Sequence, residues 1–361
     1  LTKPIVQPPV DLATLRRLEE IIDCKRHRQE LDRLRKLSLP ALASKEKAIA
    51  HEVFAAVVRY PYGSHGWETE HPPSYRGGFP EQIVRNRAVT CFAGPWLVAQ
   101  LLLKCGIPYK QIFYCNVFDD PGLKIAGSHA DLLMTTAQQD TMMINTAAGN
   151  IGKPLPPLMC GNRPMQKELE SLFEGKIHRP VSVHVNRDMA EGLKIPSQMQ
   201  VMPAHQGFAS GHMLHVGLDF LGKGQQDEAR HAFELGRSFN PQHPELLYYL
   251  GIIAFKNNDL AEAENYFEAA LDIYDGHLLS EFALAEISLH WGRAEDAKEL
   301  FTIIKTDGRK IWGDKDDVMK NQAAHFADLS EEELMRQWKE KNIQPLTTAK
   351  ATGDREIGPV S

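Results

Sequence analysis

The sequence predicts an α+β domain followed by an all-α domain of repeated helix pairs. Three observations carry this expectation. Residues 91–108 read CFAGPWLVAQLLLKCGIP, with Leu97, Val98, Leu101, Leu102 and Cys105 at helical spacing and Gly106 and Pro108 as stops. The period then falls to two: residues 111–118, 129–135 and 141–146 read as strands joined by short turns, one of them Asp119-Asp120-Pro121-Gly122. A helix followed by three consecutive strands implies an antiparallel sheet packed on that helix. The third observation is a 34-residue step that aligns Gly217, Gly251 and Ala285, then Ala229, Ala263 and Ala297, then Phe233, Phe267 and Phe301.

The elements follow in order. Residues 1–43 are an arm and a helix: residues 1–10 hold three prolines, and Leu12, Leu15, Leu18, Ile22, Leu31 and Leu34 recur helically over 11–37, with Asp11 as N-cap. The α+β domain is expected over 44–160. It opens with a helix over 44–60 capped by Ser44, apolar at Ala48, Ile49, Val53, Ala56 and Val57, and ended by Pro61. Residues 61–80, PYGSHGWETEHPPSYRGGFP, form a long loop before Cys91, in which His65, Trp67 and His71 line a pocket or simply cover the surface. Residues 161–207 read as the end of the domain and a linker, with a short helix near 167–173 and a strand near 181–185. The repeats occupy 208–310, capping helices 311–344, and a polar tail expected to be disordered 345–361.

Composition narrows the function classes. Of the 361 residues 43% are apolar and 24% charged, ample for packed cores, and a net charge of −6 with no basic block gives nucleic acid nothing to bind. No run of about 18 apolar residues occurs, so no membrane span is expected. Five cysteines without a CxxC pair argue against a disulfide framework or a structural zinc, and for a reducing, cytoplasmic setting. Since the sequence opens on Leu1, export stays open as well.

The chemistry converges on Cys91. A thiol at a helix N-terminus meets unsatisfied N–H groups and the positive end of the helix dipole, and both favour the nucleophilic thiolate. The next base downstream is His129, at the start of the second strand. Asn145, 16 residues further on and on the third strand, is expected beside it, where its side-chain oxygen can accept the imidazole N–H. The Cys91 backbone N–H is the natural first oxyanion donor, and Gln82, Asn86 or Trp67 the second. Cys105 and Cys115 sit on apolar faces and are expected to be buried. His212 and His215, three apart, read as helix-surface residues before metal ligands.

Cys91 at a helix start, Cys105-Gly106-Ile107-Pro108 at its end, His129 on the second strand and Asn145-Thr146 on the third resemble the transglutaminase-like superfamily of papain-fold enzymes. The resemblance spans about residues 45–150. It implies a cofactor-free cysteine hydrolase or acyltransferase that attacks an amide carbonyl of a protein or peptide through a thioester, with Cys91, His129 and Asn145 as catalytic residues. Two departures stand against it: Asn145 where the family usually has Asp, and Val89-Thr90 where a glycine usually precedes the cysteine. The 34-residue period, with Pro241 closing the first unit, resembles tetratricopeptide repeats and implies protein partners. The alternative function is therefore a non-catalytic adaptor in which a degenerate transglutaminase-like module and the repeats bind proteins; a third is a scaffold that holds an assembly together.

Overall fold

The computed structural model describes residues 12–59, 92–120, 125–145, 150–153, 163–193, 195–307, 310–311 and 316–341. The chain divides into two units, residues 1–212 and 213–361.

In the first unit, the single helix expected over 11–37 is two, α1 (Leu12–Ile22) and α2 (Cys24–Leu34). Asp23 divides them. It adopts a left-handed φ of 51°, and its carboxylate accepts the Arg26 N–H. A short polar side chain tolerates that conformation and caps the next helix. The following helix, α3 (Leu39–Arg59), starts five residues ahead of the expected cap. The reason is Ser38, whose Oγ accepts the Ala41 N–H at 3.3 Å, while Pro40 in the first turn needs no donor. The Asp11 cap lies outside the described residues.

Helix α4 (Ala93–Lys104) is as expected. Leu97, Val98, Leu101, Leu102 and Cys105 are all buried. Gly106 terminates it with φ +96°, and Ile107 donates its N–H back to Leu102 at 3.0 Å. A side chain at Gly106 would be strained by that φ and would press on the Arg28 backbone, so glycine serves both as stop and as close contact.

Six strands of this unit follow: β1 (Ile112–Asp120), β2 (Ile125–Thr135), β3 (Thr141–Asn145), β4 (Asn150–Lys153), β5 (Val181–His184) and β6 (Gln198–Pro203). They run antiparallel in the order β4-β3-β2-β1-β6-β5. In the stretch read as the domain's end and a linker, the expected helix and strand are present as α5 (Arg163–Phe173) and β5, while α6 (Arg187–Leu193) and β6 were not expected, and β6 lies against the central strand β1.

The sheet has a core on each face. On one, Tyr114, Ala130, Leu132, Met134, Ile144 and Met202 pack with α1, α3 and α4. On the other, Phe113, Cys115, Val117, Leu133, Val183 and Val201 pack with Leu169 and Leu172 of α5. Glu46 of α3 secures the β2–β3 turn: its carboxylate accepts the Ala137 N–H at 2.6 Å, and burial raises its pKa.

Helix α7 (Ala204–Gly222) belongs to the first unit through His212 and to the second from Met213. In the second unit it pairs with α8 (Gln226–Phe239); α9 (Pro244–Lys256) pairs with α10 (Leu260–Ile273), and α11 (Leu278–His290) with α12 (Ala294–Thr306). Helices α13 (Asp316–Asp328) and α14 (Glu331–Lys341) follow, where capping helices were expected. The nine repeat positions identified in the sequence are all buried. The hairpin turns keep the same step. Gly224, Asn258 and Gly292 each have a positive φ, and the next residue, Gln225, Asp259 or Arg293, donates its N–H to Phe220, Ala254 or Ser288 at 2.8–2.9 Å.

Candidate functional site

The structure fixes one of the three residues expected to act together. Cys91 lies outside the described residues, as do Gln82, Asn86 and the whole 61–80 loop with His65, Trp67 and His71. Asn145 closes β3 opposite Asn150. His129 is described, and its face is set by the register. It stands opposite Val117, and two residues on Asp131 stands opposite Cys115. Directly opposed residues of an antiparallel pair share a face, and Val117 and Cys115 belong to the core beneath α5. Ala130 and Leu132, the alternate residues, face α4. The His129 imidazole therefore points away from the helix that Cys91 precedes.

On that face His129 and Asp131 form a buried pair. His129 Nε2 lies 3.6 Å from Asp131 Oδ2, with side chains 2% and 0% exposed. Burial is the main cause that raises the pKa of the neighbouring Cys115 thiol, and the Asp131 charge adds to it. That thiol stays protonated and is a poor nucleophile. Toward α4 the sheet presents a different polar pair, Asn116 and Gln200, opposed in register between β1 and β6 and both buried. Phe92, one residue before α4, reaches the same side. Its ring meets Phe208 edge-on at 5.9 Å, and Phe208 meets Tyr114 at 5.2 Å. Period-two alternation from Tyr114 is the signal that puts Asn116 on this face, and Gln200 lies in the stretch read as a linker.

The second unit carries the other candidate surface. Gly217 and Gly251 let the rings of Phe233 and Phe267 lie directly against the helix backbone. Tyr249 stacks on Phe233 at 5.5 Å, and Tyr248 contacts Phe267 and His277. Trp291, at the turn of the third hairpin, is 42% exposed. The Arg293 guanidinium lies over it, 4.5 Å from the ring centre, and also pairs with Glu264 of α10 at 2.8 Å.

His243 and His277, one repeat apart, precede α9 and α11, and both are buried. Glu245 lies between them, 3.2 Å from His243 Nδ1 and 3.9 Å from His277 Nε2, while His277 Nδ1 meets Ser280 Oγ at 2.7 Å. The two histidines keep the 34-residue step of the repeats, which is the signal for them in the sequence. Burial is the main cause that lowers the His277 pKa below its ordinary 6.5. As the pH falls through about 6.5 the unfolded chain takes up a proton that the folded chain refuses, so this group costs stability below that pH and nothing above it. The unfolding midpoint should drop between about pH 7.5 and 5.5, and the drop should be smaller in His277→Gln; an equal drop in both would rule this histidine out.

No helix among the described residues is long and apolar enough to cross a membrane, and no group of acidic, histidine or cysteine side chains among them could hold a metal ion. The family model for the tetratricopeptide repeat matches residues 244–277, which cover α9, α10 and the turn that follows. That match does not extend to residues 44–160. No curated protein and no solved structure matches the chain. Tetratricopeptide repeats point to protein–protein interaction.

Proposed function

We propose that this protein is an adaptor whose repeat unit holds a protein or peptide partner, and whose first unit is a non-catalytic module of the transglutaminase-like kind. The repeat match at 244–277, continued on either side by hairpins of the same step, carries this reading. Stacked helix pairs bury their apolar faces against one another and leave an extended surface for a partner. Trp291 with Arg293 is an anchor of the type that dominates binding energy: a large ring held in place by a guanidinium and half open to solvent. The adaptor is favoured over a cysteine hydrolase by the direction of His129, which pairs with Asp131 on the face away from α4. With His129 on the other face, the general base and proton donor that the triad assigns to that histidine are not on the side of the helix that Cys91 precedes.

The test treats the full chain with a lysine-directed cross-linker in cell extract. Lys223, Lys256 and Lys305 of the repeat unit are exposed. Partner peptides should be linked to these lysines, and about tenfold fewer should be recovered with Trp291→Ala. In parallel, iodoacetamide should label Cys91 no faster than a free thiol at mildly acidic pH. Rapid labelling lost in His129→Ala, or partner links confined to residues 1–212, would overturn the adaptor and restore the hydrolase built on Cys91, His129 and Asn145.

A further inference from the structure

Two thiols from distant parts of the first unit meet where α2 crosses the end of α4. Cys24 is the first residue of α2 and Cys105 the residue that closes α4. Both side chains are buried in the same core cluster, at 5% and 0% exposure. A direct contact fixes the approach: Cys24 Sγ lies 3.8 Å from the Leu101 carbonyl oxygen, the same oxygen that accepts the Cys105 backbone N–H at 2.8 Å. The joint is further held by Arg28, which donates to Leu103 O at 3.2 Å and Lys104 O at 2.8 Å, and by Arg35, which donates to Gly106 O at 2.5 Å. Neither thiol belongs to the chemistry expected at Cys91 or to the repeats.

We propose that Cys24 and Cys105 are a peroxide-sensitive dithiol that closes to a disulfide, a reversible covalent tie between α2 and α4. The two members are unequal. The neighbouring Cys105 thiol is the main cause that lowers the Cys24 pKa; Arg28 works in the same direction, and burial, Glu19 and Glu52 oppose it. The Cys24 neighbour and burial push the Cys105 thiol up. Both thiols are buried, but Cys24 is the nearer to solvent, 5% exposed against none for Cys105. It is the member that reacts first. Its thiolate attacks one peroxide oxygen and breaks the O–O bond, giving a sulfenic acid and hydroxide, which takes up the proton the thiol gave. Cys105 sulfur then attacks the Cys24 sulfur; the S–O bond breaks and leaves with the Cys105 proton as water. In sum, two thiols and one hydrogen peroxide give one disulfide and two waters, the two electrons passing from sulfur to the peroxide oxygens.

The experiment uses the full chain. It is treated with hydrogen peroxide, quenched, denatured in iodoacetamide, digested without reductant and mapped by mass spectrometry. A peptide joining Cys24 to Cys105, two hydrogens lighter than its parts and lost on treatment with dithiothreitol, is the expected product. The loop closed is long, so the oxidised chain should melt about 5–10 °C higher than the reduced chain. Cys24→Ala and Cys105→Ala should each abolish that rise. Cys115, buried and held protonated, is the internal control and should be recovered alkylated. Recovery of Cys24 and Cys105 as alkylated thiols, over-oxidation of either without a link, or a link from either to Cys91, Cys115 or Cys160 would each overturn the proposal. Should a variant fail to fold, the peptide map of the parent chain alone decides.

Discussion

Replacing Gly251 with leucine should unfold the second unit far more easily than any surface change. A Cβ at this position would sit 2.5 Å from Cε1 of Phe267, closer than real Cβ atoms come to their neighbours. The ring has nowhere to go, because Phe267 is fully buried. Two effects compete. Leucine is the better helix former by about 1 kcal/mol, while overpacking a tight core costs about 1–3 kcal/mol, and more where the neighbour is a trapped ring. With the ring trapped, the clash lies at the upper end of that range and wins, and about 2 kcal/mol of net destabilisation is expected. Gly251→Ala brings the same Cβ contact with Phe267 and should cost less because it adds none of the leucine's further atoms. Gly217→Leu should behave like Gly251→Leu, its Cβ being 2.2 Å from Phe233. Urea unfolding followed by circular dichroism reads the effect; parental midpoints for both leucine variants would show that small residues are not what lets these helices approach.

Asp131→Ala is expected to have an effect of the same order in the first unit. The carboxylate is fully buried beside His129. Removing one member of a buried pair leaves the other's polar atoms and any charge without compensation, which costs about 3–5 kcal/mol. Asp131→Asn keeps the shape and a polar group beside His129, and should cost less than half as much. An Asp131→Ala midpoint within about 0.5 kcal/mol of the parent would mean that the pair contributes nothing to this fold. A sheet whose stability rests on this pair has a use for His129 that does not involve Cys91.

Period was far more legible in the sequence than phase. Helical spacing at Leu97, Val98, Leu101 and Leu102 placed α4 and its buried face correctly, and the 34-residue step located three hairpins from nine residues. Alternation found β1, β2 and β3 as well. Which side of β2 looks toward α4 depends on register, however, and a shift of one residue exchanges the faces. That is why His129 was expected beside Cys91 and is found beside Asp131. Strand β6, QMQVMP, is buried along most of its length, so it shows no alternation and passed for a linker. The break at Asp23 and the cap at Ser38 are local backbone choices within a continuous apolar pattern, and spacing alone does not register them.

The place of β6 between β1 and β5 bears on how the chain folds. Asn116 pairs with Gln200, about 80 residues away along the chain, whereas each repeat hairpin closes on itself within one repeat. Loop closure of that length has to precede the pairing that rewards it, so the first unit should fold more slowly than the second, although it is synthesised first. Until residue 203 has left the ribosome, one edge of β1 has no partner, and an open apolar edge is a template for association between nascent chains. Chains cut before β6 should aggregate, and the first unit should depend on chaperones in a way that the repeats do not.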